Sequence, residues 1–332
     1  MTRGGAIESC HLGVAVVVEP GGREIARAGD PAWPVVTRSS VKPFQALPLV
    51  VAGGLEAFGL DAADLALVCS SHSGTEEQAA RAEAMLARAG LDRSALACGA
   101  HCPYDESTAA ALDAAGRAPS ALHNNCSGKH AGMLLGCRHT CLPLDGYTGI
   151  EHPSQLRIQA ALAACCGLPA EAARPCGIDG CSAPTFALPA RALARGYAAL
   201  ASPEAAWLER EVAAALGRIA AAMGRHPGMV AGPGRFTSAL IAATGGRVLG
   251  KEGAEGVYGL AVRGPVALGA ALKLADGGER ARDTVVLELL SQLGALSAAE
   301  KSALAPFYRP RQRNHRGLEI GEIVAEIELE EA

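Results

Sequence analysis

The 332-residue chain is 49% hydrophobic and only 4% aromatic, with a formal net charge of −4 and a pI of about 6.2. That apolar content suits one large domain or two smaller ones. The mild acidity gives no electrostatic case for nucleic acid or an anionic membrane, and so few aromatics offer no base-stacking platform.

The N-terminal "LGVAVVV" is about one strand long and lacks the h-region and cleavage site of a secretory signal. "SALIAATGG" is too short to cross a bilayer. The expectation is a soluble, cytoplasmic protein. In chain order, "HLGVAVVVE" and "GGREIARAG" predict two strands joined by a Gly-Gly turn. From Ser39 the pattern turns helical, and Pro43 marks a first turn, with Ser39 or Ser40 near the N-cap. Pro48, one turn later, kinks or breaks that helix. "LALVCSSHSG" reads as a buried strand ending in a polar turn, and "TEEQAARAEAMLARAG" as a helix capped by Thr75 and stopped by Gly90. "HPSQLRIQAALAACCG" and "SPEAAWLEREVAAALGRIAAAMG" predict further amphipathic helices. "GRVLGKEGAEGVYGLAV" reads as strand-turn-strand, with Lys251 in the glycine-rich turn. "VALGAALKLADGG" and "RDTVVLELLSQLGAL" read as helices, and the alternating tail "GLEIGEIVAEIELE" as a last strand beside the N-terminal pair.

With strands at both ends and helices between them, the expected fold is mixed α/β: an antiparallel sheet flanked by helices, with a helical subregion. The chain is expected to form one catalytic unit over 1–332. Its α/β part takes roughly 1–70 and 225–332, and its helix-rich part roughly 71–224.

Eleven cysteines, an odd number with no signal peptide, do not read as a disulfide framework. Cys10, Cys98, Cys137, Cys165 and Cys166 read as small, buried, reduced hydrophobes. Cys176 and Cys181 are spaced too widely for a zinc knuckle, although a mixed site with one thiolate from each of two distant loops stays open.

Three stretches carry more polar chemistry than a core needs. In "RSSVKPFQ", Ser39 and Lys42 are three residues apart and share a helical face; a desolvated lysine can lose its proton and serve a serine as base. The plainer reading is an N-cap serine beside a solvated lysine. In "CSSHSGTEEQ", helix capping accounts for Ser73 and Thr75 but leaves Ser71 and His72 unexplained. "HNNCSGKHAGML" crowds Asn125, Cys126, Lys129 and His130 before an apolar run. "GPGRF" lacks the spacing of a phosphate or dinucleotide loop.

Taken together, "RSSVKPFQALP", "CSSHSG", "HNNCSGKHAGML", "GIDGCSAPTFALP" and "KEGAEGVYG" resemble the rhizobial-type (class 3) L-asparaginases in order and over nearly the full length. The resemblance implies the fold of the serine β-lactamases and glutaminases and a homodimer acting on L-asparagine. It implies two serine–lysine pairs, Ser39 with Lys42 and Ser71 with Lys251, and Arg38 near both to keep the lysines deprotonated. Ser39 is the first choice of nucleophile and Ser71 the alternative. Cys126, Lys129 and Cys181 would bind a zinc ion, with water completing the tetrahedron. His130 and Asp179 would orient ligands or the substrate's α-amino group, and His72 and Asn125 fall in the matching motifs as substrate-binding candidates. Where the family commonly has an acidic residue after "GRF", this chain reads Thr237-Ser238, which bears on selectivity between asparagine and glutamine. The competing readings are a β-lactamase-like or glutaminase-type serine amidohydrolase and a non-catalytic zinc- or amino-acid-binding relative.

Overall fold

The computed structural model describes residues 1–332. A hairpin, β1 (Gly13–Val18) and β2 (Glu24–Ala28), turns through Gly21-Gly22 as its sequence predicts. A short strand β3 (Pro34–Val36) then leads into a single 3-10 turn, Arg38–Val41. The helix that follows is broken at Ala46 into α1 (Lys42–Gln45) and α2 (Leu47–Val51), each with a proline in its first turn. Proline is tolerated there because the missing N–H would have no partner. The N-cap is Val41, not Ser39 or Ser40, and no side chain caps the turn.

Two elements differ in kind from the sequence reading. "LALV" ends α3 (Ala62–Val68), a helix opened by a reciprocal Asp61–Asp64 capping box and buried on nearly every side. Short, wholly apolar runs carry no usable period, so helix and strand look alike in them. "LGAALKL" is the converse: it forms β8 (Leu268–Leu274), a central strand, not a helix. Both faces of that strand are covered, so the polar alternation that signals a strand is missing.

The remaining helices used below are α4 (Glu76–Arg88), α5 (Ser127–His139), α6 (Pro153–Cys166), α7 (Ala190–Ala201), α8 (Arg210–Arg225), α9 (Phe236–Ala243) and α10 (Glu279–Gln292). Thr75 and Gln78 form the capping box of α4, as expected of Thr75. Strands β4 (Pro175–Ile178) and β5 (Pro184–Pro189) join β3 in a small sheet. The main sheet adds β6 (Val248–Gly253), β7 (Val257–Val262) and β9 (Glu330–Glu331) in the order β9-β2-β1-β8-β7-β6, every pairing antiparallel. Of the C-terminal tail, read from sequence as one last strand beside the hairpin, only Glu330–Glu331 pairs there; Glu319–Glu322 pairs with Arg311–Arg313 in a separate two-stranded sheet.

Val14, Val16, Val18 and Leu249 face the larger core, which contains α7 and the helices of the middle region; Ala15, Val17, Val248 and Leu260 face a smaller core with α9 and α10. The architecture is a mixed α/β fold with helices on both sides of an antiparallel sheet. All eleven cysteines are free, and Cys10 is exposed, contrary to its reading as a buried hydrophobe. It lies before β1, where no element covers it. No helix is long and apolar enough to cross a membrane.

Helix α7 lies against β8 because Gly269 has no side chain: a Cβ there would sit 1.9 Å from the backbone nitrogen of Ala198. Backbone cannot yield as a flexible side chain can. Gly269→Ala is therefore expected to lower unfolding free energy by about 1–3 kcal/mol, the usual cost of overpacking, as read from the denaturant midpoint.

Candidate active site

Four segments meet beside the edge strand β6. The backbone of Arg38 has φ +49°, a conformation strained for a side-chain-bearing residue, and Ser182, next to Cys181, has φ +68°. Such strain costs on the order of 1–3 kcal/mol and concentrates at functional sites. In the loop after α3, the Ser71 N–H donates to the Val230 carbonyl (3.0 Å) and the His72 N–H to that of Asn125 (3.2 Å). Helix α5 packs its first turn on α3 through Gly128, whose Cβ would lie 2.4 Å from the Leu67 carbonyl. That contact brings Asn125, Cys126 and Lys129 to the Ser70–Ser71 loop.

Both buried amines converge on one hydroxyl. Ser71 Oγ is 2.8 Å from Lys251 Nζ and 3.1 Å from Lys42 Nζ. Lys42 also donates to the carbonyls of Ser70 (2.5 Å) and Asn125 (3.4 Å), three acceptors for the three N–H bonds of an ammonium. Lys251 further donates to the Glu252 carbonyl at 2.8 Å. Lys42 is thus paired with Ser71, not with Ser39 as the resemblance implied. The Ser39 hydroxyl lines the cleft, but it is not among Lys42's partners. Lys42 opens the helix that follows the turn, and its buried side chain runs inward to the Ser70–Ser71 loop. Lys251 stands within strand β6, fully buried, not in a turn.

Burial pushes the Lys251 amine down to about 7; Glu252 opposes the shift, while Lys42 and Arg235 add to it. Arg38 is not among the groups that act most strongly on it. Its guanidinium holds Asp179 Oδ1 through Nε (3.0 Å) and Nη2 (2.8 Å). Arg235, which sequence reading passed over, stands in its place. Its Nη1 donates to the Ser71 carbonyl at 2.8 Å and its Nη2 to Glu252 Oε1 at 3.0 Å. Glu252 Oε2 accepts from Thr237 Oγ1 at 2.7 Å. Burial alone would raise the Glu252 carboxyl, but Lys251 and Arg235 outweigh it and hold it at about 2. Thr237, the departure after "GRF", thus touches Glu252 and Tyr258, not the cleft. Ser238 braces the preceding loop, accepting from the Gly232 N–H and donating to the Pro227 carbonyl. "GPGRF" gave no sign of this, because Arg235 acts across more than 160 residues of sequence on Ser71.

The cleft has a volume of about 390 Å³ and is lined by Ser39, Ser71, Asn125, Arg235 and Glu252, with Tyr104 and the α10 residues Glu279 and Arg282 at its side. Those last three also escaped the sequence reading: Tyr104 stands in a loop, and two isolated charges on α10 carry no pattern.

Cys126, Lys129 and Cys181 do come together. Lys129 Nζ is 2.9 Å from Cys181 Sγ, and the Cys126 thiol reaches both Asn125 Oδ1 (3.1 Å) and Cys181. The Cys126 hydrogen bond and the Lys129 charge overcome burial and hold Cys181 far below the ordinary thiol range. Burial opposes the charge on Lys129, but the two sulfurs win and raise its pKa. His130 Nδ1 is bound to the Tyr147 hydroxyl (2.6 Å), and its buried ring lies beside the Cys181 sulfur. Nowhere do three His, Cys, Asp or Glu side chains form a metal cage, so an ion at this point would need the lysine as a ligand. Two sulfurs and an amine offer three donors that suit a small thiophilic cation such as zinc.

His72 does not reach the cleft. Its Nδ1 accepts from the Gly74 N–H (3.0 Å) and its Nε2 bonds Ser127 Oγ (2.8 Å), with the ring wholly buried and held neutral by burial, at about 3. It fastens the Ser71 loop to α5. His130 and Asp179 lie on the sulfur side and are not among the cleft's lining residues.

Fold and site together define a mixed α/β protein with one serine gripped by two buried lysines. The chain belongs to the L-asparaginase II family, whose model matches residues 1–325, the rhizobial-type family that its motifs resemble. No curated protein matches it. Among solved structures, Mglu in its native form is similar at 17% identity over 86% of this chain, with a TM-score of 0.35. This chain covers 64% of that one, and so slight a likeness carries no argument about the site.

Removing the His72 ring strands the Gly74 N–H and leaves the Ser127 hydroxyl with only the Leu122 carbonyl, to which it donates. His72→Ala is expected to cost about 1–3 kcal/mol of stability, the penalty of unpaired buried groups, while the KM for substrate stays within about twofold. Urea titration and steady-state kinetics check the two halves separately.

Proposed function

We propose that this chain is an L-asparaginase, hydrolysing the side-chain amide of L-asparagine to L-aspartate and ammonia through a Ser71 acyl-enzyme. One observation carries the reading: Ser71 Oγ stands between Lys251 Nζ and Lys42 Nζ at the floor of an open cleft. Family membership supplies the substrate.

In this reading Lys251, near neutral in its titration, takes the Ser71 proton as the oxygen attacks the amide carbon. Lys42 stabilises the anionic oxygen during attack, and the free Ser39 hydroxyl is placed to donate to the substrate. The proton on Lys251 passes to the leaving nitrogen, the C–N bond breaks, and ammonia departs. Water then attacks the ester with Lys251 again as base, freeing aspartate and restoring Ser71–OH. Arg235, Arg282 and Glu279 give the cleft both signs of charge, which suits a zwitterionic amino acid. Asp179, fixed by Arg38, and His130 orient the sulfur corner and the amino end of the substrate. Cys126, Lys129 and Cys181 would hold a zinc ion, which when bound supplies positive charge that tunes substrate binding. The homodimer is carried over from the family resemblance.

Ser71→Ala is expected to depress kcat for asparagine-dependent ammonia release by about 10³-fold or more, and Ser39→Ala by less. If both variants keep full activity, the acyl-enzyme reading fails. The neutral amine is the active form of Lys251, so kcat/KM should rise with pH through about 7 and level off above it. A profile flat from pH 5 to 9 would remove Lys251 as the base.

Elemental analysis of untagged protein is expected to give about one zinc per chain, lost in Cys181→Ser. Metal-free protein whose activity ignores chelators would overturn the sulfur–amine site.

A further inference from the structure

Glu252 has two suitors. Its Oε1 lies 3.4 Å from Lys251 Nζ and 3.0 Å from Arg235 Nη2. Its Oε2 is tied to Thr237 Oγ1 on α9, and that hydroxyl is in turn bonded to Tyr258. Lys251 and Glu252 are neighbours on β6, so their side chains leave opposite faces of the strand. The carboxylate can reach the amine only by folding back over the strand edge. Arg235 and Thr237 hold it on the α9 side.

We propose that Arg235 is a positioning residue that draws the Glu252 carboxylate away from Lys251, so that Lys251 stays free to act on Ser71. A carboxylate released by Arg235 would turn to Lys251 and hold the amine as an ammonium, useless as a base. Arg235 completes the arrangement by gripping the Ser71 carbonyl, so one guanidinium fixes both the loop bearing the hydroxyl and the carboxylate beside the base. The catalytic meaning of this inference rests on Lys251 being the base for Ser71; the electrostatic claim does not.

The other groups around Lys251 do not explain the arrangement. Lys42 bears on it from α1. Cys69, from the loop after α3, is kept a neutral thiol by burial, at about 12. Tyr258 on β7 and Tyr197 on α7 are held protonated by burial. Arg282 on α10 acts on Glu252 from the far side, and Arg38 on the adjoining turn is spent on Asp179. Only Arg235 touches Glu252 and the Ser71 backbone together.

The experiment titrates Lys251 directly. Protein labelled with ¹³C at lysine Cε has resonances only from Lys42, Lys129, Lys251, Lys273 and Lys301. Loss of one peak in Lys251→Met assigns the one of interest. Arg235→Gln is expected to raise the Lys251 midpoint by about one unit and Glu252→Gln to lower it by about one. The Arg235→Gln effect should shrink to less than half in the Glu252→Gln background, because its target is then gone. Thr237→Val touches neither Ser71 nor Lys251 and frees Glu252 more gently; it should raise the midpoint in the same direction. The acid limb of kcat/KM should follow each shift. An Arg235→Gln effect equal in both backgrounds would mean that the guanidinium acts only by its own charge, and would overturn the proposal, as would an unmoved midpoint in both Arg235→Gln and Thr237→Val. Shifts as expected in a protein that never releases ammonia from asparagine would sink the asparaginase reading and leave this one standing.

Discussion

The site depends on a cost: two lysines share one dry pocket and one hydroxyl. Removing a single ammonium from water costs several kcal/mol even after relaxation, and a second beside it adds repulsion. The protein meets this with the carbonyls of Ser70, Asn125 and Glu252, and with one carboxylate that Lys251 shares with Arg235. What these partners leave uncompensated appears as the lowered affinity of Lys251 for its proton. A hydroxyl that is a poor nucleophile and an amine that is a poor base become useful together only because neither can turn to water.

That demand explains local features that otherwise look wasteful. The strained backbone at Arg38 swings the following turn so that Lys42 points under Ser71, while Ser39 is left facing the cleft. His72 spends both ring nitrogens fastening the Ser71 loop to α5. Asn125 belongs to two corners at once: its carbonyl accepts from Lys42 and its side-chain oxygen from Cys126. Its backbone N–H is itself fixed by His101 Nε2 at 2.9 Å. The amine corner and the sulfur corner are thus coupled through a single residue whose backbone and side chain are both held.

Much of this was legible in the sequence, and the failures have definite causes. Reactive residues crowded at one spot, as in "HNNCSGKHAGML" and "CSSHSG", cannot be explained as core, and they do converge. Amphipathic helices with caps, such as the one begun by Thr75, were readable because period and capping agree. The elements misread were wholly apolar: α3 and β8 have no wet face, so their periods are invisible. Within the site, residue types were readable but pairings were not. Ser39 and Lys42 are close in sequence, yet the long lysine side chain is buried and reaches a serine 29 residues away, a pairing that local spacing cannot show. Arg235 and Glu252 were missed because nothing local marks a charge whose partners lie far off in sequence.

The two corners handle charge in opposite ways, and this sets what each can do. In the sulfur corner, unlike charges meet: the Cys181 thiolate and the Lys129 ammonium stabilise each other, so both stay ionised. A cation arriving there must displace protons from Lys129 and Cys126, and such binding is coupled to pH by necessity. In the amine corner, like charges meet and the available carboxylate is drawn toward a third cation, so one proton is held loosely. A group that neither keeps nor refuses its proton near neutral pH is what proton transfer to and from a serine requires. Had Glu252 faced Lys251 squarely, the same residues would have built a stable buried ion pair with no chemistry in it. The difference between a structural salt bridge and a base lies in where a single carboxylate is held.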